Sequence, residues 1–255
     1  MSIRARRTRA SICRACFSIV ILVSLACTGV LAVYAQHKVS KRYPAGKKVR
    51  IQLKNISGTI TVESWNREEI KLYAVLESPA ANLSPLATGD GLLIDVMGDN
   101  RGRGEVGDIT FRLHVPVNAT VDLETRQGDI SVTNIRGDLV RAHVSSEGDI
   151  TLTGITAEKV IARNTMGNIF FDGEFSRNGE YQFASGKGDI TLRIPADSAF
   201  KVVASSQAKR IAMGQFWNDG FRNLGNGRKY EGYVRNGHAL VTVTNFQGSI
   251  TFMRR

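Results

Sequence analysis

The chain has 255 residues and a formal net charge of +11 at neutral pH, a length that admits one elongated domain or two ordinary ones. Its first 35 residues hold Arg4, Arg6, Arg7, Arg9 and Arg14 and no acid, so setting these five arginines aside leaves +6 on residues 36–255. That remaining charge favours partners such as anionic envelope polysaccharide, lipid headgroups or another surface protein through a nonspecific, salt-sensitive attraction; with no aromatic-basic RNA motif and no helical DNA reader, nucleic acid is excluded as an expected partner.

The arginine-rich start runs into an uncharged stretch from Ala15 to Ala35, the layout of an export signal. Val33-Tyr34-Ala35 predicts cleavage before Gln36, which gives a signal peptide over 1–35 and a single extracytoplasmic domain over 36–255, periplasmic, surface-bound or secreted. The same run is 21 residues long, and about 20 apolar residues span a bilayer as a helix, so an uncleaved membrane anchor stands beside cleavage. Ser24-Leu25-Ala26-Cys27 departs from a lipoprotein box because the apolar run continues past Cys27, and Arg6-Arg7 lacks the hydrophobic residues of a twin-arginine signal. Cys13, Cys16 and Cys27 all lie in this segment, so residues 36–255 can form no disulfide, and the Cys13–Cys16 spacing has no second ligand pair to make a zinc site.

Further on, Val49-Arg50-Ile51-Gln52-Leu53 and Ile70-Lys71-Leu72-Tyr73-Ala74-Val75 alternate apolar with polar residues and predict an antiparallel sheet that caps the domain at its N-terminal end. The polar, glycine-rich Gly98-Asp99-Asn100-Arg101-Gly102-Arg103-Gly104 predicts a flexible surface loop. From about residue 105 to 195 one pattern recurs: Gly107-Asp108-Ile109-Thr110-Phe111, Gly128-Asp129-Ile130-Ser131-Val132, Gly148-Asp149-Ile150-Thr151-Leu152, Gly167-Asn168-Ile169-Phe170-Phe171 and Gly188-Asp189-Ile190-Thr191-Leu192. Gly58-Thr59-Ile60-Thr61-Val62 and Gly248-Ser249-Ile250-Thr251-Phe252 are outlying copies, the second 60 residues, or three periods, beyond Gly188.

A fixed period marks stacked units, each too small to bury its own apolar face. Within a period, Ile-Thr-Leu alternation predicts a half-buried strand. Segments such as Gly137–Val144 and Glu158–Ala162 supply a second strand, with Gly, Asn and Asp at the turns. The expected fold is all-β: a β-solenoid or β-helix-like stack of roughly 20-residue two-strand coils, with a short antiparallel N-terminal cap and a continuous column of isoleucines. Leu113-His114-Val115-Pro116-Val117-Asn118-Ala119 echoes Leu192-Arg193-Ile194-Pro195-Ala196-Asp197-Ser198, and the prolines, which cannot donate to a ladder, mark strand ends or corners. No strong helix pattern follows residue 36.

With its Gly-Asp-Ile-Thr repeat, its Val-Pro and Ile-Pro segments and the closing Leu240-Val241-Thr242-Val243-Thr244-Asn245-Phe246-Gln247-Gly248-Ser249-Ile250, the chain resembles the bacterial putative-adhesin domain family of unknown function over residues 45–255. The resemblance implies an exported β-helix-like domain and brings no catalytic residues with it. The final copy departs from the pattern, with Ser249 in place of Asp.

The sharpest site candidate is the column of Asp108, Asp129, Asp149, Asn168 and Asp189. Stacked carboxylates could hold calcium through oxygen ligands, but the calcium β-roll repeat is shorter, and Gly-Asp is also turn chemistry in which the carboxylate accepts a local backbone N–H. A carbohydrate-active enzyme on the same scaffold would need clustered acids with a cation, Asp129, Asp149 and Arg141 for example, in a groove. His37, His114, His143 and His238 show no metal-ligand spacing, and no nucleophile elbow, zinc-protease motif, phosphate loop or cofactor motif is present. Trp217, Phe221, Arg222, Arg228 and Tyr230, with Phe216, form either a ligand-contacting patch or a plug for the end of the stack. The expected function is a non-enzymatic adhesin or envelope-binding scaffold without cofactor, against two alternatives: the carbohydrate-active enzyme, and a structural or regulatory component anchored by residues 15–35.

Overall fold

The computed structural model describes residues 36–216, 220–235 and 237–255. The export segment and Trp217 lie outside them. Ala35–Arg255 is one compact unit, and it is built from two large mixed sheets of ten and eleven strands.

The repeat contributes one strand to each sheet. In the 120–133 unit, Thr120–Gln127 lies in the eleven-stranded sheet, Gly128 and Asp129 turn the corner, and Ile130–Thr133 lies in the ten-stranded sheet. The units 139–155, 159–173 and 180–194 repeat this course, and successive units pair in parallel with Ile130, Ile150, Ile169 and Ile190 in register. Val121, Val140, Val160 and Tyr181 form the matching column opposite. All of these side chains are at most 1% exposed. At about 1.5–3 kcal/mol for each buried aliphatic or aromatic side chain, the shared core between the sheets is the main source of stability in a domain that has no disulfide. Phe171 and Phe183 meet across it at 5.1 Å.

Stacking order departs from chain order at both ends. In space the units run 91–116, 50–65, 120–133, 139–155, 159–173, 180–194, 239–254 and 200–212. Gly248 therefore sits one rung from Gly188, not three periods away, because the 200–212 unit is laid down one rung further out and the 239–254 unit returns to fill the gap it skipped. Likewise Arg50–Ser57, expected in an antiparallel cap, is an interior strand paired in parallel on both sides. Two of the connections that pass over a unit carry the echoed prolines: Pro116 leads from Ile109–Pro116 to Thr120–Gln127 across the 50–65 unit, and Pro195 leads to Phe200–Ser206 across the 239–254 unit.

The first repeat copy is also out of step. Ile60 faces Phe111 rather than Ile109, so the Gly107-Asp108 pair is displaced by two residues from the corner line. The physical cause is the long connection before it: the turn between Gly91–Asp95 and Ile109–Pro116 is expanded to residues 96–108 and opens with a short helix, Val96–Asp99, capped by the Asp95 side chain. The segment expected as a flexible loop is tied at its base. Buried Asn100 donates from Nδ2 to the carbonyls of Val96 (2.8 Å) and Asn82 (2.9 Å) and accepts the Asn82 N–H (2.7 Å).

Antiparallel strands close the stack. Glu69–Leu76 covers Ile109–Pro116 and is itself covered by His37–Pro44, while Lys229–Val234 covers Phe200–Ser206 and is followed by Phe221–Leu224. The edge strand His37–Pro44 carries Lys38, Lys41 and Arg42, charges that oppose further strand addition. Phe216 is fully buried against Phe200, and Tyr230 is buried as well, so these two aromatics plug the end of the core.

The corners fix how closely units approach. Gly128 has φ of 104° and Gly167 has φ of 125°, and a Cβ on either would be driven into the carbonyl oxygen of the glycine one unit away, Gly58 for the first and Gly148 for the second. Gly167→Ala is expected to lower stability by about 2–4 kcal/mol, whereas Gly46→Ala, whose Cβ would meet nothing within 4 Å, should be close to neutral. Urea unfolding of the two variants beside the parent checks this, and equal midpoints would refute the close-approach account.

Candidate functional site

At each corner the Gly and Ile N–H groups donate to backbone carbonyls of the next unit: Gly128 to Glu147, Ile130 to Asp149, Gly148 to Met166 and Ile150 to Asn168. The peptide between the corner residues is left out of both ladders, with one C=O and one N–H to satisfy. Side chains complete it. Asp129 Oδ1 accepts the N–H of Asp149 (2.8 Å), Asp149 Oδ1 that of Asn168 (2.6 Å), Asn168 Oδ1 that of Asp189 (2.9 Å) and Asp189 Oδ1 that of Ser249 (2.7 Å). On the inner side, Asn164 Nδ2 donates to the Gly148 carbonyl, Ser185 Oγ to Gly167, Asn245 Nδ2 to Gly188 and Ser206 Oγ to Gly248.

The Asp column is therefore a hydrogen-bond ladder between units, in which the donor is not local but one unit away. Asn168 serves as well as Asp because only an acceptor is required, and Ser249 closes the ladder by donating its N–H without having to accept another. Asp108 stands apart from it, its carboxylate receiving the Ser57 hydroxyl at 2.5 Å. Asp129 and Asp149 share a shallow recess of about 340 Å³ with Glu147, but Arg141 is elsewhere, on the outer face of the eleven-stranded sheet and paired with Asp122 at 2.9 Å. Among the described residues, no three His, Cys, Asp or Glu side chains come together as a metal-binding group.

The aromatic and basic candidates separate too. Tyr230 is 3% exposed and belongs to the core, Phe221 is half-buried against it, and Arg222 and Arg228 are exposed. The histidines are dispersed: His143 stands 3.9 Å from Glu124, His114 lies against Trp65, and His238 faces a cleft.

Two clefts that the sequence did not indicate lie on the flank where the ten-stranded sheet ends. The first, about 640 Å³, is lined by Trp65, Asn66, Asn134, Arg136, Glu174 and Arg255. The second, about 580 Å³, includes Arg177, Pro195, Asp197 and His238 and shares Glu174 and Arg255 with the first. Each lies beside a skipping connection, Val117 lining the first and Pro195 the second. A connection that passes over one unit cannot close the corner as tightly as a single step does, and the gap remains as a notch. Between the clefts Arg255 Nη2 donates to Glu174 at 3.0 Å, and the Arg255 and Arg193 guanidinium groups flank the buried carboxylate of Asp172. The proline echo was the available signal for these notches.

The family profile described as Toastrack DUF4097 matches residues 24–251, and the chain belongs to that family. The kinship read from the repeat thus holds. A solved structure of a putative cell adhesion protein from Clostridium sporogenes is similar, at 13% identity and a TM-score of 0.52, over 87% of this chain and 100% of that one. A putative adhesin from Bacteroides fragilis follows at 9% identity and a TM-score of 0.34, over 85% and 97% of the two chains. A putative lipid binding protein from Parabacteroides distasonis has 10% identity and a TM-score of 0.32, over 85% and 96%. The first supports the fold; at their lower TM-scores the other two decide neither fold nor function. No curated protein matches the chain.

Two outcomes test the ladder. Asp149→Asn keeps an acceptor and should leave stability nearly unchanged, whereas Asp149→Ala strands the Asn168 N–H and should cost about 1–2 kcal/mol in urea unfolding. The Ser249 N–H holds the Asp189 carboxyl below its ordinary pKa, helped by nearby Lys209. Its contribution is therefore complete above the ordinary carboxylate pKa and is lost as pH falls through the lowered one. Asp189→Asn should flatten that part of the stability profile, as followed by thermal melts in acid.

Proposed function

We propose that residues 36–255 form a non-enzymatic, extracytoplasmic β-solenoid that binds a glycan of the cell envelope along the notched flank. The observation that carries this reading is the lining of the first cleft. Trp65 brings a half-buried indole with Arg67 over its ring and His114 against it, Asn66 and Asn134 offer amide donors and acceptors, and Arg136 offers a guanidinium. That is the mixture by which sugars are held, with ring against C–H face and amides against hydroxyls. The repeat carboxylates on which catalysis would depend are engaged with backbone N–H groups, and Arg141 is paired away from them. The Asp ladder is accordingly structural, with no metal needed to neutralise it. A binding role accords with the adhesion name carried by the Clostridium sporogenes protein of this fold.

The export layout of residues 1–35 supports a place outside the cytoplasm, either released at Gln36 or held by the uncharged segment. Fractionation of expressing cells separates these two, since a cleaved protein does not pellet with membranes.

Purified residues 36–255, applied to an envelope-glycan array at low and moderate salt, should bind without releasing product. Arg136→Ala should weaken the binding about tenfold or more with no loss of thermal stability. Consumption of the bound glycan would overturn the non-enzymatic reading, and unaltered binding by the variant would move the site off the flank. Calcium should neither bind saturably nor raise the melting temperature.

A further inference from the structure

A third concavity, about 720 Å³, lies at the opposite corner line, where the connection 96–108 replaces the tight two-residue turn. Arg101, Arg103 and Arg126 line it with Glu105, above half-buried Ile56, Met97 and Val106. Several guanidinium groups on the two sheets are matched to carboxylates, as in Arg141–Asp122, Arg193–Asp172 and Arg42–Glu69. Here they are not. Among the described residues Arg101 and Arg126 form no ion pair, and Arg103 donates only to the neutral amide of Asn82 at 2.7 Å. Glu105 is the one acid among the side chains that line the pocket; nearby, the cap Asp95 and the helix residue Asp99 accept the N–H groups of Gly98 and Ser84.

We propose that this pocket binds a phosphate ester. Among the side chains that line it, three guanidinium groups face one carboxylate, a local excess that suits a phosphate monoester of about −1.5 to −2 better than a single carboxylate, and the planar guanidinium fork matches phosphate oxygens in pairs. The apolar floor accommodates the stem to which the phosphate is attached. Buried Asn100, bonded to Val96 and Asn82, holds the base of the loop so that binding need not order it first. This site is separate from the flank clefts and stands or falls independently of the glycan reading.

The test uses residues 36–255, which contain the whole described core. Binding of glycerol phosphate in solution is measured by calorimetry, and binding to vesicles of phosphatidate in phosphatidylcholine by co-sedimentation at moderate salt. The parent is compared with an Arg101→Ala/Arg126→Ala variant and with Arg222→Ala/Arg228→Ala, which removes equal charge from a remote surface. Both pairs are exposed, and thermal melts confirm folding. The expected result is a loss of tenfold or more in the first variant and little change in the second. A response to glycerol phosphate alone assigns a soluble phosphate ester, and a stronger response to the vesicles assigns a lipid headgroup. No binding of either probe, or equal weakening by both variants, would overturn the proposal, because the attraction would then be the diffuse charge of the domain.

Discussion

The structure depends on one peptide group per corner. Where the chain passes from the eleven-stranded sheet to the ten-stranded sheet, the peptide joining Gly to Asp can enter neither ladder. Its carbonyl points at the glycine of a neighbouring unit and its N–H at the acid on the other side. The first direction excludes a Cβ, and the second demands a side-chain acceptor. An inner Asn or Ser then satisfies the carbonyl from below. A single unpaired amide thus accounts for three columns of residue types, and it does so without a disulfide.

Regularity of this kind uses up the functional groups it repeats. The acids of the column serve their neighbours' backbone, and some charges on the outer face of the eleven-stranded sheet are paired between rungs, as in Asp122–Arg141 and Lys159–Glu180. Concave surface arises where the repeat is interrupted. A skipped unit leaves each flank notch, and an inserted turn makes the arginine-lined pocket. Each interruption borders a stack that is continuous beneath it.

Much of the fold was legible because its physics is local. Alternation over Ile150-Thr151-Leu152 states which side faces the core, and the glycine spacing states the rung, so the all-β class and the isoleucine column followed from residue order. The displaced register at Ile109 did not follow, since the Gly107-Asp108 pair has the right composition and the shift is imposed by the connection before it. For the sites the balance reverses. Asp129 and Asp149 stood out by repetition and proved to be ladder residues, Tyr230 stood out as an aromatic among basic residues and proved to be core, while Trp65, Asn134 and Arg136 carry no motif at all.

The sequence by itself determined the strand periodicity, the glycine corners and the demand for an acceptor beside each of them, because these obey steric and hydrogen-bonding rules that act within a few residues or repeat at a fixed spacing. Only the tertiary structure decided that the 239–254 unit inserts beside 180–194, that the 50–65 unit lies between 91–116 and 120–133, and that notches remain where the chain steps over them. Every unit presents nearly the same edge, so local pattern cannot say which two edges meet; that choice rests on which arrangement buries the apolar columns of all the units at once.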